Sequence, residues 1–366
     1  MRNLIRKAAI LAGAATGKWS FTGPDCVLIS ITDLCNFSCL NCRFHSSHTQ
    51  RDTAYRPKER RMPLELVRKL APELRAARAG IIVVSAAGEP LLHPELPEIL
   101  KLLKTSGAKI KLLTNGSLLR ESVAQLLIDQ DIDELRVSMW AKDEEEFAAN
   151  YPGTDLRFFA GVRENLKGLT EMKRAGGKTR PKLSIHHPIN RNNFQNLHLL
   201  LPLAEELGLN EISFSALIPY PEVDQKSLLK EEDLPRLKTE LFKLKGPLKE
   251  RNIEHNIEET IFQQEAGAEM TRRIGCYNGW FQLRIQEDGE ASPCNTCNIF
   301  VGNAHESTVM ELWQGKAMQD FREKACTFEG LNDIAREGFC DFCSSYHINR
   351  KIHRIVSRLP FTRAGR

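Results

Sequence analysis

The sequence predicts an α/β fold, with a partial barrel of six repeated βα units followed by a small cysteine-rich C-terminal module. Three observations predict it. Short apolar runs alternate with segments of helical periodicity from Cys26 to about Leu217. Several of these runs are almost continuously apolar, as the strands of a helix-covered parallel sheet are. Six of the ten cysteines then lie between Cys276 and Cys343, which favours a module organised by metal.

The strands and helices of the barrel can be assigned in order along the chain. The predicted strands lie at 26–32, 81–87, 109–114, 134–140, 182–189 and 211–217. Helices are predicted at 63–79, 94–105, 120–130, 156–174, 194–207 and 231–251. In folds of this kind the loops that follow the carboxyl ends of the strands build the functional site. The residues directly after each strand are therefore the first candidates for a function.

The composition predicts five parts of the chain. They are an N-terminal basic helix or extension (1–24), the barrel (25–225), a helical linker (226–273), the cysteine-rich module (274–345) and a basic C-terminal tail (346–366). The first part imitates a secretion signal, with basic residues before a short apolar run. Export would expose close cysteine pairs to oxidation, so we expect a cytoplasmic protein whose first helix packs on the fold or lies on a membrane surface.

The charge distribution restricts the classes of partner. The net charge is +4, and charged residues, 27% of the chain, are spread along it without any apolar run of membrane-spanning length. A membrane-spanning role and general nucleic-acid binding are therefore not expected. Between Ser344 and Arg366 there are six Lys or Arg residues and no acidic residue. This tail is a candidate contact for phosphates, a nucleotide-linked substrate or an anionic membrane, and the plain alternative is a solvated tail.

Three cysteines follow the first strand in a Cys-x3-Cys-x2-Cys arrangement: Cys35, Cys39 and Cys42. Their thiolates can converge on one loop. Iron–sulfur clusters are held by cysteine thiolates, and three thiolates on a four-iron cluster leave one iron free to bind another molecule. A zinc site and a trio of buried structural cysteines are the alternatives.

The position of this motif after the first strand resembles the signature of the radical S-adenosylmethionine (SAM) superfamily, although Asn41 stands where that signature usually has an aromatic residue. The resemblance implies a TIM-like partial (β/α)6 barrel and a [4Fe–4S] cluster whose open iron chelates SAM. One electron then cleaves SAM to a 5′-deoxyadenosyl radical, which abstracts hydrogen from a substrate. It also implies an electron donor such as flavodoxin or ferredoxin.

Residues after strands two to four extend the resemblance. The run from Ala86 through Gly88, Glu89 and Pro90 resembles the family's Gly-Gly-Glu-Pro turn, which holds the SAM amino group. Glycine lets the backbone approach a ligand closely, and the Glu89 carboxylate can balance an ammonium. By the same resemblance, Asn115 after strand three contacts SAM or substrate, unless it only forms a tight turn with Gly116.

Further candidates come from strands four and five. Ser138 lies in the last part of predicted strand four, and the resemblance implies that it contacts the ribose of SAM. His186 and His187 lie in strand five, where alternation points one of them inward. A core histidine is at least as good an interpretation as a catalytic one.

The C-terminal module contains Cys276, an apparent hairpin at 280–289, Cys294, and the pair Cys340 and Cys343. It resembles the extensions called SPASM and twitch domains, and the shorter twitch arrangement fits the number of cysteines better. The resemblance implies that these four cysteines bind one auxiliary [4Fe–4S] cluster, with structural zinc as the alternative. A cluster in which every iron has a cysteine ligand suits electron transfer more than binding of a substrate. Cys297 is left over as a replacement for Cys294, an idle thiol or a candidate hydrogen donor to a substrate radical.

The resemblance implies a radical SAM oxidoreductase acting on a sugar- or cyclitol-type molecule or a glycan precursor. Modification of a ribosomally made peptide is the main alternative. It is less favoured because 1–24 is too short for the leader-recognition domain that many such enzymes carry. A radical epimerase that uses a cysteine hydrogen donor and a noncatalytic zinc-binding protein are the remaining alternatives.

Overall fold

The repeated βα units of the sequence fold as alternating strands and helices. The computed structural model describes residues 2–46, 58–85, 87–217, 224–295, 299–335, 340 and 343–359. The strands are β1 (Cys26–Ser30), β2 (Ile81–Ser85), β3 (Lys109–Thr114), β4 (Glu134–Ser138), β5 (Lys182–Ile189), β6 (Glu211–Ala216), β7 (Glu254–His255), β8 (Gln282–Ile285), β9 (Glu290–Ser292) and β10 (Gly302–Asn303). The helices are α1 (Arg2–Thr16), α2 (Leu64–Ala76), α3 (Leu96–Lys104), α4 (Glu121–Asp129), α5 (Glu144–Asn150), α6 (Arg157–Ala175), α7 (Leu200–Leu207), α8 (Leu234–Glu250), α9 (Ile257–Arg273), α10 (Val309–Gln314), α11 (Lys316–Ala325), α12 (Phe328–Ala335) and α13 (Tyr346–Val356).

In these ranges the strands form one sheet in the order β10-β9-β8-β1-β2-β3-β4-β5-β6-β7. Neighbours from β1 to β7 are parallel, and β8 is parallel to β1 on the other side. Strands β9 and β10 are antiparallel additions at that edge. The predicted α/β partial barrel is confirmed, and its carboxyl ends gather the loops that follow the strands.

Four of the six predicted barrel strands end one or two residues early. Strands β3 and β5 have the predicted bounds, whereas β1, β2, β4 and β6 stop sooner. After β1, Ile31 still donates its N–H to the Ser85 carbonyl oxygen, but Thr32 forms an isolated antiparallel bridge with Arg61. The chain thus leaves the parallel ladder where its loops begin to form the site.

Two predicted helices begin three or more residues later than the periodicity indicates. The segment predicted as 194–207 is helical only from Leu200, after a short 3-10 turn at Leu197–Leu199. Just before it, the Asn193 side chain accepts a hydrogen bond from the Asn190 N–H at 2.8 Å, and Asn196 has a φ of 53°. Such local side-chain bonds compete with helix formation. The segment predicted as 231–251 likewise begins with a 3-10 turn before α8.

The two faces of the barrel strands differ in chemistry. Outward side chains such as Ile82, Leu112 and Val137 are fully buried beneath the helices. The alternate positions point to the inner face and are partly polar. At its amino end, Lys111 pairs with Glu134 at 2.6 Å, and Arg136 pairs with Glu211 at 2.7 Å. These ion pairs occupy the inner face near the amino ends of the strands.

Helix α1 packs on the C-terminal part of the chain. Ile10 and Ala14 are buried in a cluster with Tyr277, Trp280 and Ile352. The Trp280 indole N–H also donates to the carbonyl oxygen of Trp19 at 2.8 Å. The first helix is therefore a packing helix on at least this face. Over the described residues, we find no helix with the length and apolar character needed to cross a bilayer.

The predicted hairpin of the cysteine-rich module is β8–β9, and it joins the barrel sheet. Cys26 of β1 is in register with Gln282 of β8, and Ile285 of β8 pairs with Ala291 of β9. Gly289 forms the hairpin turn with a φ of 83°, a conformation that glycine adopts without strain. The five-part division of the chain stays a prediction, since this module shares backbone hydrogen bonds with the barrel.

Candidate active site and iron–sulfur sites

Cys35, Cys39 and Cys42 lie together on the loop that follows β1. The loop is folded tightly, because the Cys42 N–H donates to the Cys39 carbonyl oxygen at 3.1 Å. Burial raises the pKa of Cys39 well above its ordinary value, and the nearby Cys42 and Cys35 thiols raise it further. Burial also raises the pKa of Cys35 to about 11. The structure therefore brings the three predicted thiols into one electrostatically coupled group.

The donor set of this loop fits an iron–sulfur cluster. Backbone N–H groups point at the sulfurs, with Phe37 N at 3.5 Å from Cys35 Sγ and His45 N at 3.4 Å from Cys42 Sγ. Within the described ranges, no three His, Cys, Asp or Glu side chains surround a single metal-ion position. A four-iron cluster needs its cysteine sulfurs farther apart than a single metal ion does, because each thiolate bonds a different iron atom.

Aromatic side chains that the sequence analysis missed support the loop. Phe37 lies between Cys35 and Cys39 and packs edge-on against Tyr151 at 5.6 Å between ring centroids, while Tyr151 stacks on Phe147 at 4.4 Å. Cys35 and Cys39 pack against this cluster. The partners come from α5 and the residue after it, far along the chain, so no local spacing could have predicted them.

Asn41, which departs from the family signature, anchors the loop by hydrogen bonds. It is buried, and its Nδ2 donates to Ser227 Oγ at 2.8 Å. The Asp224 N–H donates in turn to Asn41 Oδ1 at 3.1 Å. The Asn41 carboxamide thus connects the cysteine loop to the segment after β6 through both its donor and its acceptor.

The turn after β2 lies directly against the cysteine loop. The Gly88 N–H donates to the Thr32 carbonyl oxygen at 3.3 Å, and the Glu89 N–H donates to the Leu34 carbonyl oxygen at 2.6 Å. A Cβ atom at Gly88 would overlap the backbone of Leu34. Glycine is therefore required here by contact with the cysteine loop itself. Pro90 is buried at the start of a short 3-10 turn, and Ala86 lies outside the described residues.

The Glu89 carboxylate connects this turn to β3 by hydrogen bonds. Its Oε1 accepts from Thr114 Oγ1 at 2.6 Å and from Leu91 N at 3.0 Å, and its Oε2 accepts from Asn115 N at 2.6 Å. Burial raises the pKa of Glu89, and these three hydrogen bonds oppose the rise. Glu89 thus holds the strand ends in register, and its assignment to the SAM amino group stays a prediction.

Substitution of Gly88 provides a direct test of this contact. We expect Gly88→Ala to lower the free energy of unfolding by about 1–3 kcal/mol, because the added methyl group must displace the Leu34 backbone. Urea unfolding measures the change. The matched control is Gly161→Ala in α6, where nothing lies near the added Cβ and alanine is the better helix former. Equal stability of Gly88→Ala and the parent protein would contradict the contact.

Asn115 and Ser138 lie at the carboxyl ends of β3 and β4, beside the cysteine loop. Asn115 Nδ2 donates to Asn36 Oδ1 at 2.9 Å, and Asn36 is the neighbour of Cys35. The Ser138 hydroxyl accepts a hydrogen bond from Trp140 Nε1 at 2.9 Å. The tight-turn interpretation also applies, because Gly116 has a φ of 78°. The contacts of Asn115 and Ser138 with SAM stay predictions.

The two histidines of β5 have different surroundings. His187 lies on the outer face, where its Nδ1 lies 2.9 Å from the Met139 carbonyl oxygen and its ring packs edge-on against Phe214. His186 is in register with Ser138, and its Nε2 lies 3.2 Å from Ser215 Oγ. Burial lowers the pKa of His186 to about 3. His186 is therefore a neutral hydrogen-bonding group on the inner face of the barrel.

The four predicted auxiliary ligands line one cavity. Cys276, Cys294, Cys340 and Cys343 all contribute to its wall. Burial raises the pKa of Cys276 well above its ordinary value, and the other three thiols raise it further. The remaining lining is mostly apolar and includes Phe321. Four thiols in a shielded cavity are a donor set that fits a fully ligated iron–sulfur cluster.

The other cysteines have distinct positions. Cys26 lies in β1 and is half-buried, and burial raises its pKa to about 12. Cys326 is buried beside Tyr277 and Trp280. Cys297 lies outside the described residues, so its choice among ligand, idle thiol and hydrogen donor stays open.

Comparison with known proteins agrees with both parts of this arrangement. Residues 29–201 match the radical SAM superfamily, and residues 276–344 match the SPASM iron–sulfur cluster-binding domain. The AdoMet-dependent heme synthase of Methanosarcina barkeri is 23% identical over 336 residues, 87% of this chain and 88% of that protein. A probable GTP 3′,8-cyclase of Metallosphaera sedula is 27% identical over 192 residues, 52% of this chain and only 55% of that protein.

Solved structures share the fold. SuiB of Streptococcus suis bound to S-adenosylmethionine has a TM-score of 0.65 and 15% identity, covering 94% of this chain and 81% of that one. The same protein bound to its precursor peptide SuiA has a TM-score of 0.63 and 14% identity, covering 94% and 80%. The chain therefore contains a radical SAM domain at residues 29–201 and a C-terminal SPASM domain at residues 276–344.

Proposed function

We propose that this radical SAM enzyme oxidises its substrate with two [4Fe–4S] clusters that have different numbers of protein ligands. Cys35, Cys39 and Cys42 would hold the SAM-binding cluster. The cavity cysteines, namely Cys276, Cys294, Cys340 and Cys343, would hold one auxiliary cluster. The carrying observation is the contrast between three neighbouring thiols on one loop and four thiols that line one cavity. Three ligands leave an iron open for SAM, and four leave none, which suits electron transfer.

The surrounding residues prepare the loop site for its ligand. A bound three-thiolate cluster supplies one-electron cleavage of SAM to a 5′-deoxyadenosyl radical. Gly88 keeps the turn after β2 against the cysteine loop, and Glu89 fixes that turn to β3. Asn115 and Ser138 offer polar groups at the neighbouring strand ends, where we propose that they contact SAM. The aromatic cluster of Phe37, Phe147 and Tyr151 shields the loop from water.

For the substrate, we propose a sugar- or cyclitol-type molecule or a glycan precursor as one class. The inner face of the barrel supports it, because Ser138, His186 and Ser215 place hydroxyl and imidazole groups near the carboxyl ends of their strands. Hydroxyl-bearing substrates need such hydrogen-bonding partners when they leave water. His186 stays neutral at physiological pH, since burial lowers its pKa to about 3.

A peptide is the second candidate substrate. One specific observation favours it, namely the shared fold of this chain and SuiB bound to its precursor peptide SuiA. A radical epimerase remains a third candidate and would need a cysteine hydrogen donor. We further propose an electron donor such as flavodoxin or ferredoxin, a cytoplasmic location that keeps the thiols reduced, and peripheral membrane contact through the basic termini.

Anaerobic reconstitution with iron and sulfide, followed by SAM and dithionite, tests the proposal. We expect a brown protein with about eight irons per chain, as two four-iron clusters require, and 5′-deoxyadenosine as a product. Candidate sugars and peptides are then added separately, and mass spectrometry identifies the class that loses two hydrogens. Deuterium uptake from solvent with catalytic SAM use would indicate an epimerase instead. A colourless protein that binds zinc and contains no sulfide would contradict both cluster assignments.

A further inference from the structure

The cavity that holds the four auxiliary cysteines also contains a buried carboxamide without a protein partner. Asn278 lines this cavity and has 0% of its surface exposed. Neither its Nδ2 nor its Oδ1 has a hydrogen-bond partner among the described residues. Burying a polar group without a hydrogen-bond partner is unfavourable, and such groups are rare in native proteins. An unpaired amide in the wall of a cavity indicates a missing partner inside that cavity.

Other groups in the same wall already donate to cysteine sulfurs. The Asn278 backbone N–H bonds to the Cys276 thiol and opposes the rise in its pKa. Asn349 is buried, and its Nδ2 donates to Cys343 Sγ at 3.4 Å. Its Oδ1 accepts from the Tyr277 N–H at 2.8 Å, which fixes the orientation of the carboxamide. The polar groups of the wall thus present hydrogen-bond donors to sulfur.

Arg322 is a buried cation that directly follows Phe321, a residue of the cavity wall, in the sequence. Arg322 is completely buried, and no carboxylate pairs with it in the described part of the chain. Its Nε donates to the carbonyl oxygen of Gly279 at 2.7 Å, and its Nη2 donates to that of Trp313 at 2.7 Å. Gly279 adjoins Asn278, and Phe321 beside Arg322 lines the cavity. Burial lowers the pKa of Arg322 to about 10, so the side chain stays charged at neutral pH.

These groups favour negative charge in the cavity. A four-iron cluster with four thiolates is anionic, and reduction adds one more negative charge. Hydrogen bonds to its sulfurs and nearby positive charge therefore stabilise the reduced form and raise the reduction potential. A higher potential makes the cluster a better acceptor for the single electron that the substrate radical loses when it is oxidised to product.

We propose that Asn278 donates its Nδ2–H to a sulfur of the auxiliary cluster. Together with Asn349 and Arg322, it would raise the reduction potential of that cluster. This inference rests on the proposed function, because it requires the cluster at the four cavity cysteines. It assigns to Asn278 a role in the redox chemistry of the cluster, beyond its place in the packing of the module.

The test compares midpoint potentials within full-length Cys39→Ala protein, which lacks a complete loop site and so isolates the auxiliary signal. Stepwise dithionite titration followed by electron paramagnetic resonance measures the one-electron couple between the 2+ and 1+ states. We expect Asn278→Leu to hold the same iron and sulfide as its parent but to have a lower midpoint potential. The matched control is Gln314→Leu, which removes an amide of the same module that already donates to the Ser20 carbonyl oxygen at 2.7 Å.

The outcomes separate this inference from the proposed function. An unchanged potential in Asn278→Leu with the cluster bound overturns the inference alone. Absence of any iron–sulfur cluster in the Cys39→Ala parent overturns the auxiliary-cluster assignment instead. If Asn278→Leu binds no cluster, Asn278→Ala removes the donor without adding bulk and is expected to show the lower potential. Loss of the cluster in both variants would overturn a role in setting the potential.

Discussion

Cys39→Ala is expected to abolish the reductive cleavage of SAM. Cys39 is the middle thiol of the loop, and the nearby Cys35 and Cys42 thiols raise its pKa further. Two thiolates hold a four-iron cluster poorly, so iron content is expected to fall by about half, to the four irons of the auxiliary site. Formation of 5′-deoxyadenosine with dithionite and SAM is the measurement, and we expect it to fall to the background of the protein-free reaction.

The matched control for this variant is Cys26→Ala. Cys26 lies in β1, upstream of the same loop, and contributes no thiol to it. We expect it to retain iron and SAM cleavage at the parental level. If Cys39→Ala still cleaves SAM at a rate comparable to that of Cys26→Ala, the loop is not the SAM-binding cluster site.

Cys294→Ala is expected to spare SAM cleavage in the absence of substrate but to stop turnover. Cys294 is buried in the cavity wall with the other three auxiliary cysteines, so its loss leaves that cluster one thiolate short. The loop site is untouched, and the electron from the substrate radical then lacks its acceptor. Two assays measure the effect, namely 5′-deoxyadenosine formation without substrate and product formation with it.

Cys326→Ala serves as the control, because Cys326 is equally buried but packs beside Tyr277 and Trp280 instead of lining the cavity. We expect it to turn over substrate like the parent. Full turnover by Cys294→Ala, with turnover lost in Cys297→Ala, would transfer the ligand role to Cys297. Loss of SAM cleavage itself in Cys294→Ala would show that the two sites are not independent.

The barrel could be predicted because its strands, helices and cysteine loop each depend on residues that are close together in the sequence. The bounds of β3 and β5 follow from apolar alternation, and the cysteine loop follows from spacing after a strand. Contacts between distant segments left no such signal. The bond from Asn41 to Ser227 and the stacking of Tyr151 beside the cysteines join parts of the chain that fold together only in three dimensions. The start of α7 was also predicted too early, because hydrogen bonds from asparagine side chains near 190–196 compete with helix formation.

The auxiliary module illustrates the same limit. Its four cysteines were recognisable by type. Among the described residues, Asn278 has no hydrogen-bond partner for its amide and Arg322 has no carboxylate partner, and these two features matter only because both side chains are buried. Burial is a property of the packed chain, so polar residues that look ordinary in sequence acquire their meaning only inside the cavity.

The parallel pairing of β8 with β1 has a kinetic consequence. The strand that leads into the cysteine loop is bonded edge to edge with the strand that follows Cys276. These hydrogen bonds hold the segment after Cys276 directly against the strand that precedes the cysteine loop. Because electron tunnelling slows steeply with distance, we expect this pairing to limit changes in the separation of the two proposed clusters and therefore in the rate of electron transfer between them.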